Sequence, residues 1–405
     1  MSAFRHAVVD HVANAPPNVL RELIQLSMQR PDLVSFAGGL PADELFDVEG
    51  LEAANEAVMR SNSFRPWQYG PTEGLPPLRE RLATLCRSRG VAAEPGQIVC
   101  TTGSQQAIDV TVRCLIAPGD GVIVERPTFI TALQTFRAAQ AHLIGVGSDA
   151  EGPSIEAMES ALAVARAEGR VVRMIYLVPT FSNPAGRVMS LERRRALLEL
   201  AIREGLTILE DDPYGELWFD AAPPPPIRAL GDAEGAAAHV IYVSSLSKTV
   251  SPGLRLGWVV LPDSMLQPYR LMKSTADIHS SLMSQAIGDA YLASGRLDAR
   301  MDAARARYRA KAAALGGALR RRLPELTFMD PPGGMFLWAR LPDGVPAIGF
   351  SRHALQEAGV AVVPGDPFYA DAPETDRLRL SFTQGSEPQI EDGVERLRRA
   401  LDGFA

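Results

Sequence analysis

A chain of 405 residues, 46% hydrophobic and 22% charged, has the balance of a soluble globular protein and enough length for two domains around a shared interior. Its net charge of −7 excludes the clustered excess of lysine and arginine that a general nucleic-acid surface needs. Three scattered cysteines, Cys86, Cys100 and Cys114, exclude a disulfide framework and a zinc site, and the six histidines show no metal-ligand spacing.

The N-terminal residues carry no apolar signal core, and no stretch approaches the roughly 20 apolar residues of a membrane span. The cytoplasm is the expected compartment. Short runs that are apolar almost throughout predict strands over 97–101, 121–125, 142–146, 173–178, 206–210, 240–243 and 256–261. Helical periodicity predicts helices over 104–115, 128–139 and 191–204. This alternation predicts an α/β domain with a mostly parallel central sheet. Pro223 to Pro226 and the Gly/Ala-rich stretch to Ala238 read as a surface connection. From Leu297 the texture changes. A long helical run over 297–322 precedes strand-like pieces at 335–340, 360–363 and 378–382, which predicts a smaller α+β domain. The expected division is 48–296 for the large domain, and 1–47 with 297–405 for the small one and its N-terminal segment.

In an open α/β sheet, ligands bind beyond the carboxyl ends of the strands. The run after 240–243 is Ser244-Ser245-Leu246-Ser247-Lys248-Thr249, followed by Pro252-Gly253-Leu254-Arg255-Leu256-Gly257. A desolvated lysine is a usable base and forms an imine with an aldehyde cofactor. Hydroxyls and a guanidinium suit a phosphate dianion. After 97–101 come Gly103, Ser104 and Gln105, opening a helix whose first N–H groups favour an anion. Ser104 serves equally as a helix cap. After 206–210 come Asp211 and Tyr214, a carboxylate for a pyridine nitrogen and a hydroxyl for a phenolate, or simply a solvated loop. After 173–178 comes Asn183-Pro184-Ala185-Gly186, a turn signal whose amide also suits a phenolate oxygen. The convergence of an amine, an anion pocket, a carboxylate with a phenol, and an amide is more specific than any one of them.

With these motifs, and with Phe36-Ala37-Gly38-Gly39-Leu40-Pro41, Tyr69-Gly70-Pro71-Thr72-Glu73-Gly74 and Arg379-Leu380-Ser381-Phe382, the sequence resembles the fold-type I pyridoxal-phosphate aminotransferases of class I and II. Within them it is most similar to the 2-aminoadipate and kynurenine aminotransferase branch. The resemblance runs from about Arg21 to Phe382. It implies a large pyridoxal-phosphate-binding domain beside the smaller one. It makes Lys248 the Schiff-base lysine and proton shuttle, pairs Asp211 with the pyridine nitrogen, and puts Asn183 and Tyr214 on the phenolate oxygen. It lines the phosphate pocket with Ser104, Gln105, Ser245, Ser247 and Arg255. Phe129 takes the place of an aromatic stacked on the cofactor ring, where many relatives carry tyrosine. Tyr69 matches a tyrosine that crosses a dimer interface, so a homodimer is implied. Arg379 matches the arginine that grips the substrate α-carboxylate, and Gly39 a backbone group beside it. Arg21, on a segment that resembles a helix adjusting to the substrate side chain, reads either as a partner for a distal carboxylate or as a solvated charge.

The reaction expected is transfer of an amino group from an L-amino acid to a 2-oxo acid, 2-oxoglutarate being the acceptor, by a ping-pong path without a metal. Two alternatives share the cofactor. One is a lyase or decarboxylase on the same fold. The other is a cofactor-sensing domain of a transcription regulator, for which the segment before Arg21 is too short to hold a winged helix.

Overall fold

Ile98–Thr101 and Val240–Ser245 are buried at every position, as strands covered on both faces must be. The computed structural model describes residues 6–13, 32–61, 63 and 65–404. In chain order its strands are β1 (Val34–Ser35), β2 (Ile98–Thr101), β3 (Gly121–Arg126), β4 (His142–Asp149), β5 (Gly152–Pro153), β6 (Val172–Leu177), β7 (Thr207–Asp211), β8 (Val240–Ser245), β9 (Gly257–Val260), β10 (Thr327–Phe328), β11 (Phe336–Arg340), β12 (Val360–Ala361), β13 (Val363–Pro364) and β14 (Arg377–Ser381).

The large sheet has the order β2-β9-β8-β7-β6-β3-β4-β5. Strands β4, β3, β6, β7 and β8 run parallel, and β9 is antiparallel to both β8 and β2. Two reversals make β2 point the same way as β8. The carboxyl ends of β2, β3, β6, β7 and β8 therefore share one edge of the sheet. Between β3 and β6 the strand order reverses, which is where an open α/β sheet leaves a crevice.

Helices Ser104–Leu115, Leu191–Glu204 and Leu297–Arg322 have the bounds their sequence pattern predicts. Ser190 caps the second through Arg193 N, and Gly205 ends it at φ 67°, a conformation glycine adopts without strain. Leu297–Arg322 buries Met301, Ala304, Tyr308, Ala312, Leu315 and Leu319, one stripe at three- and four-residue spacing. The stretch after Pro226, expected as a surface connection, is instead a helix, Ile227–Glu234, with Ile227, Arg228 and Leu230 buried. Its first N–H groups are satisfied by the buried Glu210 carboxylate, 2.8 Å from both Ile227 N and Arg228 N.

The small antiparallel sheet has the order β10-β11-β14-β13. Strand β14 is interior, so Arg379 faces Trp338 on one side and Val363 on the other rather than lying on an edge. The strand expected over 360–363 splits in two. β12 pairs in parallel with β1, while β13 joins β14.

Candidate active site

Every expected site residue except Tyr69 and Arg21 lines a single cavity of about 270 Å³ at the carboxyl edge of the large sheet. Arg21 lies outside the described residues.

At the end of β2, Gly103 holds φ 78°. A β-carbon there would overlap the Arg255 guanidinium. Ser104 is the first helical residue, and no side-chain cap closes this helix. The sequence left Ser104 as cap or anion donor, and the cap role falls away. The free N–H groups and the positive end of the helix open toward the cavity, with Arg255 against them. Ser245 Oγ, at the end of β8, donates to Leu256 O at 3.0 Å and lies 2.8 Å from Ser247 Oγ. One end of the cavity is thus a cup of amide, hydroxyl and guanidinium donors.

Lys248 follows on the turn after β8. Its Nζ donates to Gly39 O at 2.8 Å. Burial, then the charges of Arg379 and Arg255, lower its pKa to about 8. The neutral amine is therefore a minor species near neutral pH, but far more populated than in an ordinary lysine.

Asp211 is the last residue of β7. Its Oδ2 accepts from Tyr176 OH at 3.0 Å, while Oδ1 is buried without a partner. Burial raises its pKa to about 7, against the lowering effect of the Tyr176 hydrogen bond and with a further rise from Asp212. An unpartnered buried carboxylate oxygen is costly unless a ligand supplies a donor. Asn183 Nδ2 lies 3.5 Å from Tyr214 OH. Burial and the Asp211 charge push the Tyr214 hydroxyl well above its ordinary pKa, so it stays a donor. Phe129, in the extended turn after β3, contributes an aromatic wall.

Arg379 is 1% exposed, yet its hydrogen bonds go to uncharged groups: Asn183 Oδ1 at 3.0 Å and Ala37 O at 2.6 Å. Its Nε is buried and unpartnered. The guanidinium centre lies 4.4 Å from the Phe336 ring centroid. Burial lowers its pKa to about 10, which leaves it charged at neutral pH. A buried cation whose neighbours are neutral is a site for an anion.

Tyr69 lies apart from this cavity. It is 76% exposed and packs edge-on against His279, with ring centroids 5.9 Å apart. The sequence reading missed Tyr176, which holds Asp211, and the walls Leu40, Thr131, Val178 and Phe336. Tyr176 carries no motif; it reads as one more apolar position of a buried strand.

The donors fit pyridoxal phosphate: an anion cup at one end, an orphaned carboxylate oxygen for a ring nitrogen, and an amine beside both. The family described as aminotransferase class I and II matches residues 39–397. The chain belongs to this family. This aminotransferase is 39% identical to the 2-aminoadipate transaminase of Thermus thermophilus, over 96% of this chain and 94% of that one. It is 37% identical to aromatic-amino-acid aminotransferase 1 of Thermococcus litoralis, covering 94% and 91% of the two chains. The crystal structure of Pyrococcus horikoshii kynurenine aminotransferase, in complex with PMP, superposes with a TM-score of 0.90 at 34% identity, covering 98% and 96%. The aminotransferase has, among its described residues, no helix long and apolar enough to cross a membrane.

Proposed function

We propose that the chain moves the amino group of an L-amino acid to a 2-oxo acid, with 2-oxoglutarate as acceptor and the first product leaving before the acceptor enters. The observation that carries this reading is the buried Arg379 with neutral partners, set in one cavity with the Lys248 amine and the orphaned Asp211 Oδ1. Pyridoxal phosphate is the cofactor, supplying a carbonyl that takes up the amino group and a ring that absorbs the electrons left at the α-carbon.

The chain's own residues do the rest. The Ser104 and Gln105 end of the helix, with Ser245, Ser247 and Arg255, holds the phosphate. Asp211 accepts from the ring nitrogen and keeps its proton in place. Asn183 and Tyr214 donate to the phenolate oxygen, and Phe129 packs on the ring. Arg379 holds the α-carboxylate in a bidentate pair beside the Gly39 backbone, which fixes the bond to be broken. Lys248 would take the α-proton and hold it for return on the far side of the transferred nitrogen. Phe336, Leu40 and Val178 keep water from the reacting centre.

The relatives' names favour an acidic or aromatic donor. Exposed Met59, Trp67 and Tyr69 favour a homodimer in which Tyr69 serves the neighbouring site. The division into 48–296 and the remainder is supported by the eight-stranded sheet lying within the first and the four-stranded sheet within the second.

Product analysis tests the reaction. Glutamate formed mole for mole with the donor's 2-oxo acid is expected. Ammonia release without consumption of 2-oxoglutarate would make the chain a lyase.

A further inference from the structure

Tyr176 is wholly buried in β6 and does not line the cavity. A buried phenol needs a hydrogen-bond partner, whereas phenylalanine would fill nearly the same space without that need. The partner is Asp211 Oδ2, 3.0 Å away. Strand register makes the contact. Tyr176 sits opposite Leu209, and Asp211 follows two residues later on the same face of β7. Phe136 fixes the phenol ring from the side, edge-on with centroids 5.4 Å apart. One oxygen of the carboxylate is occupied, and the other is left buried and open.

We infer that Tyr176 is a positioning residue for transamination: its hydroxyl holds Asp211 with Oδ1 toward the cofactor's ring nitrogen and keeps the proton of that pair on the ring. This rests on the role proposed above for Asp211. A carboxylate that already accepts one hydrogen bond is a weaker base than one that accepts none. The weaker base leaves the shared proton on nitrogen, where it strengthens the electron sink. Burial acts in the opposite direction on Asp211, and the Tyr176 hydrogen bond opposes it. The Tyr176 hydroxyl is itself held well above its ordinary pKa by burial and by Asp211, so it donates across the working range.

The test is NMR of the holoenzyme loaded with cofactor carrying 15N at the ring nitrogen, comparing the native chain with Tyr176→Phe. The native ring should read protonated. In Tyr176→Phe the signal should move toward neutral pyridine, with kcat down about tenfold, the scale of one hydrogen bond to a charged group, and KM unchanged. With a cofactor analogue carrying carbon in place of the ring nitrogen, the two proteins should turn over at equal rates. If Tyr176→Phe does not yield holoenzyme, 4-aminophenylalanine at position 176, a weaker donor of nearly the same shape, should move the signal part of the way toward neutral pyridine. An unmoved signal in either variant beside a protonated native ring overturns the inference and leaves the Asp211 role standing. A slowing of Tyr176→Phe that persists with the carbon analogue overturns it too. A neutral ring in the native chain removes the Asp211 role itself.

Discussion

Lys248 and Gly39 meet across 209 residues of chain, the lysine Nζ donating to the glycine carbonyl at 2.8 Å. The same strap of backbone is pinned from the other side. Ser381 N donates to Phe36 O at 2.8 Å, Arg379 to Ala37 O at 2.6 Å, Thr383 Oγ1 to Leu40 O at 2.5 Å, and Gln384 Nε2 to Pro41 O at 2.6 Å. The strap thus fixes the base from the large sheet and the guanidinium from the small one at a set separation.

Removal of that base is the first prediction. Lys248→Ala should lose at least about 10²–10⁴-fold in kcat, since proton transfer of this kind contributes that much. In the cofactor-free native chain, burial holds the amine pKa near 8. Only the neutral amine attacks an aldehyde, so the rate of covalent cofactor uptake should climb with pH and level off above about 8. Stopped-flow absorbance across pH 6–10 reads it directly; a rate still climbing at pH 10, as for an ordinary lysine, contradicts the burial of Lys248.

Asp211 separates activity from stability. Its folded pKa of about 7 lies above the ordinary carboxylate value, so folding favours the protonated form. Its penalty is absent below about pH 4 and complete above about pH 7. Asp211→Asn should therefore abolish most turnover yet stabilise the cofactor-free protein at pH 8, by at most about 4 kcal/mol, with no gain at pH 4. Denaturant melts of the cofactor-free chain at the two pH values check the sign.

Arg379→Lys should act as a loss, because a lysine cannot reproduce the planar fork. Breaking such a buried charge contact costs about 3 kcal/mol, or roughly two orders of magnitude in kcat/KM for amino acids. Primary amines that lack a carboxylate should be nearly unaffected. Equal losses on both substrate types would remove Arg379 from the carboxylate site.

Tyr69 predicts complementation. Tyr69→Ala and Lys248→Ala chains, each inactive alone, should regain activity when unfolded and refolded together, because a mixed dimer assembles one site from intact parts. Activity that never exceeds the sum of the two would place Tyr69 outside the partner's site.

The positions that line the cavity were legible where the signal was local. Leu191–Glu204 begins at the Ser190 cap and ends at Gly205, and Ser104–Leu115 begins directly after Gly103. Lys248 and Asn183 follow buried strands and Asp211 ends one, close to where the pattern of apolar runs puts them. The helix expected over 128–139 starts only at Ile130, because Phe129 stays extended, and that is what delivers its ring to the cavity. What depends on pairing was not legible. The break between β12 and β13 is made by two different partner strands, and the Tyr176 contact by the register of β6 on β7. Neither leaves a mark in local periodicity.

The central claim is tested most directly by the visible spectrum of the purified holoenzyme as a single amino acid is added without any oxo acid. The account predicts that the yellow band of the lysine-bound cofactor is lost with an acidic or aromatic amino acid and restored by 2-oxoglutarate. A yellow protein that no amino acid bleaches, or a chain that takes up no cofactor at all, would contradict it.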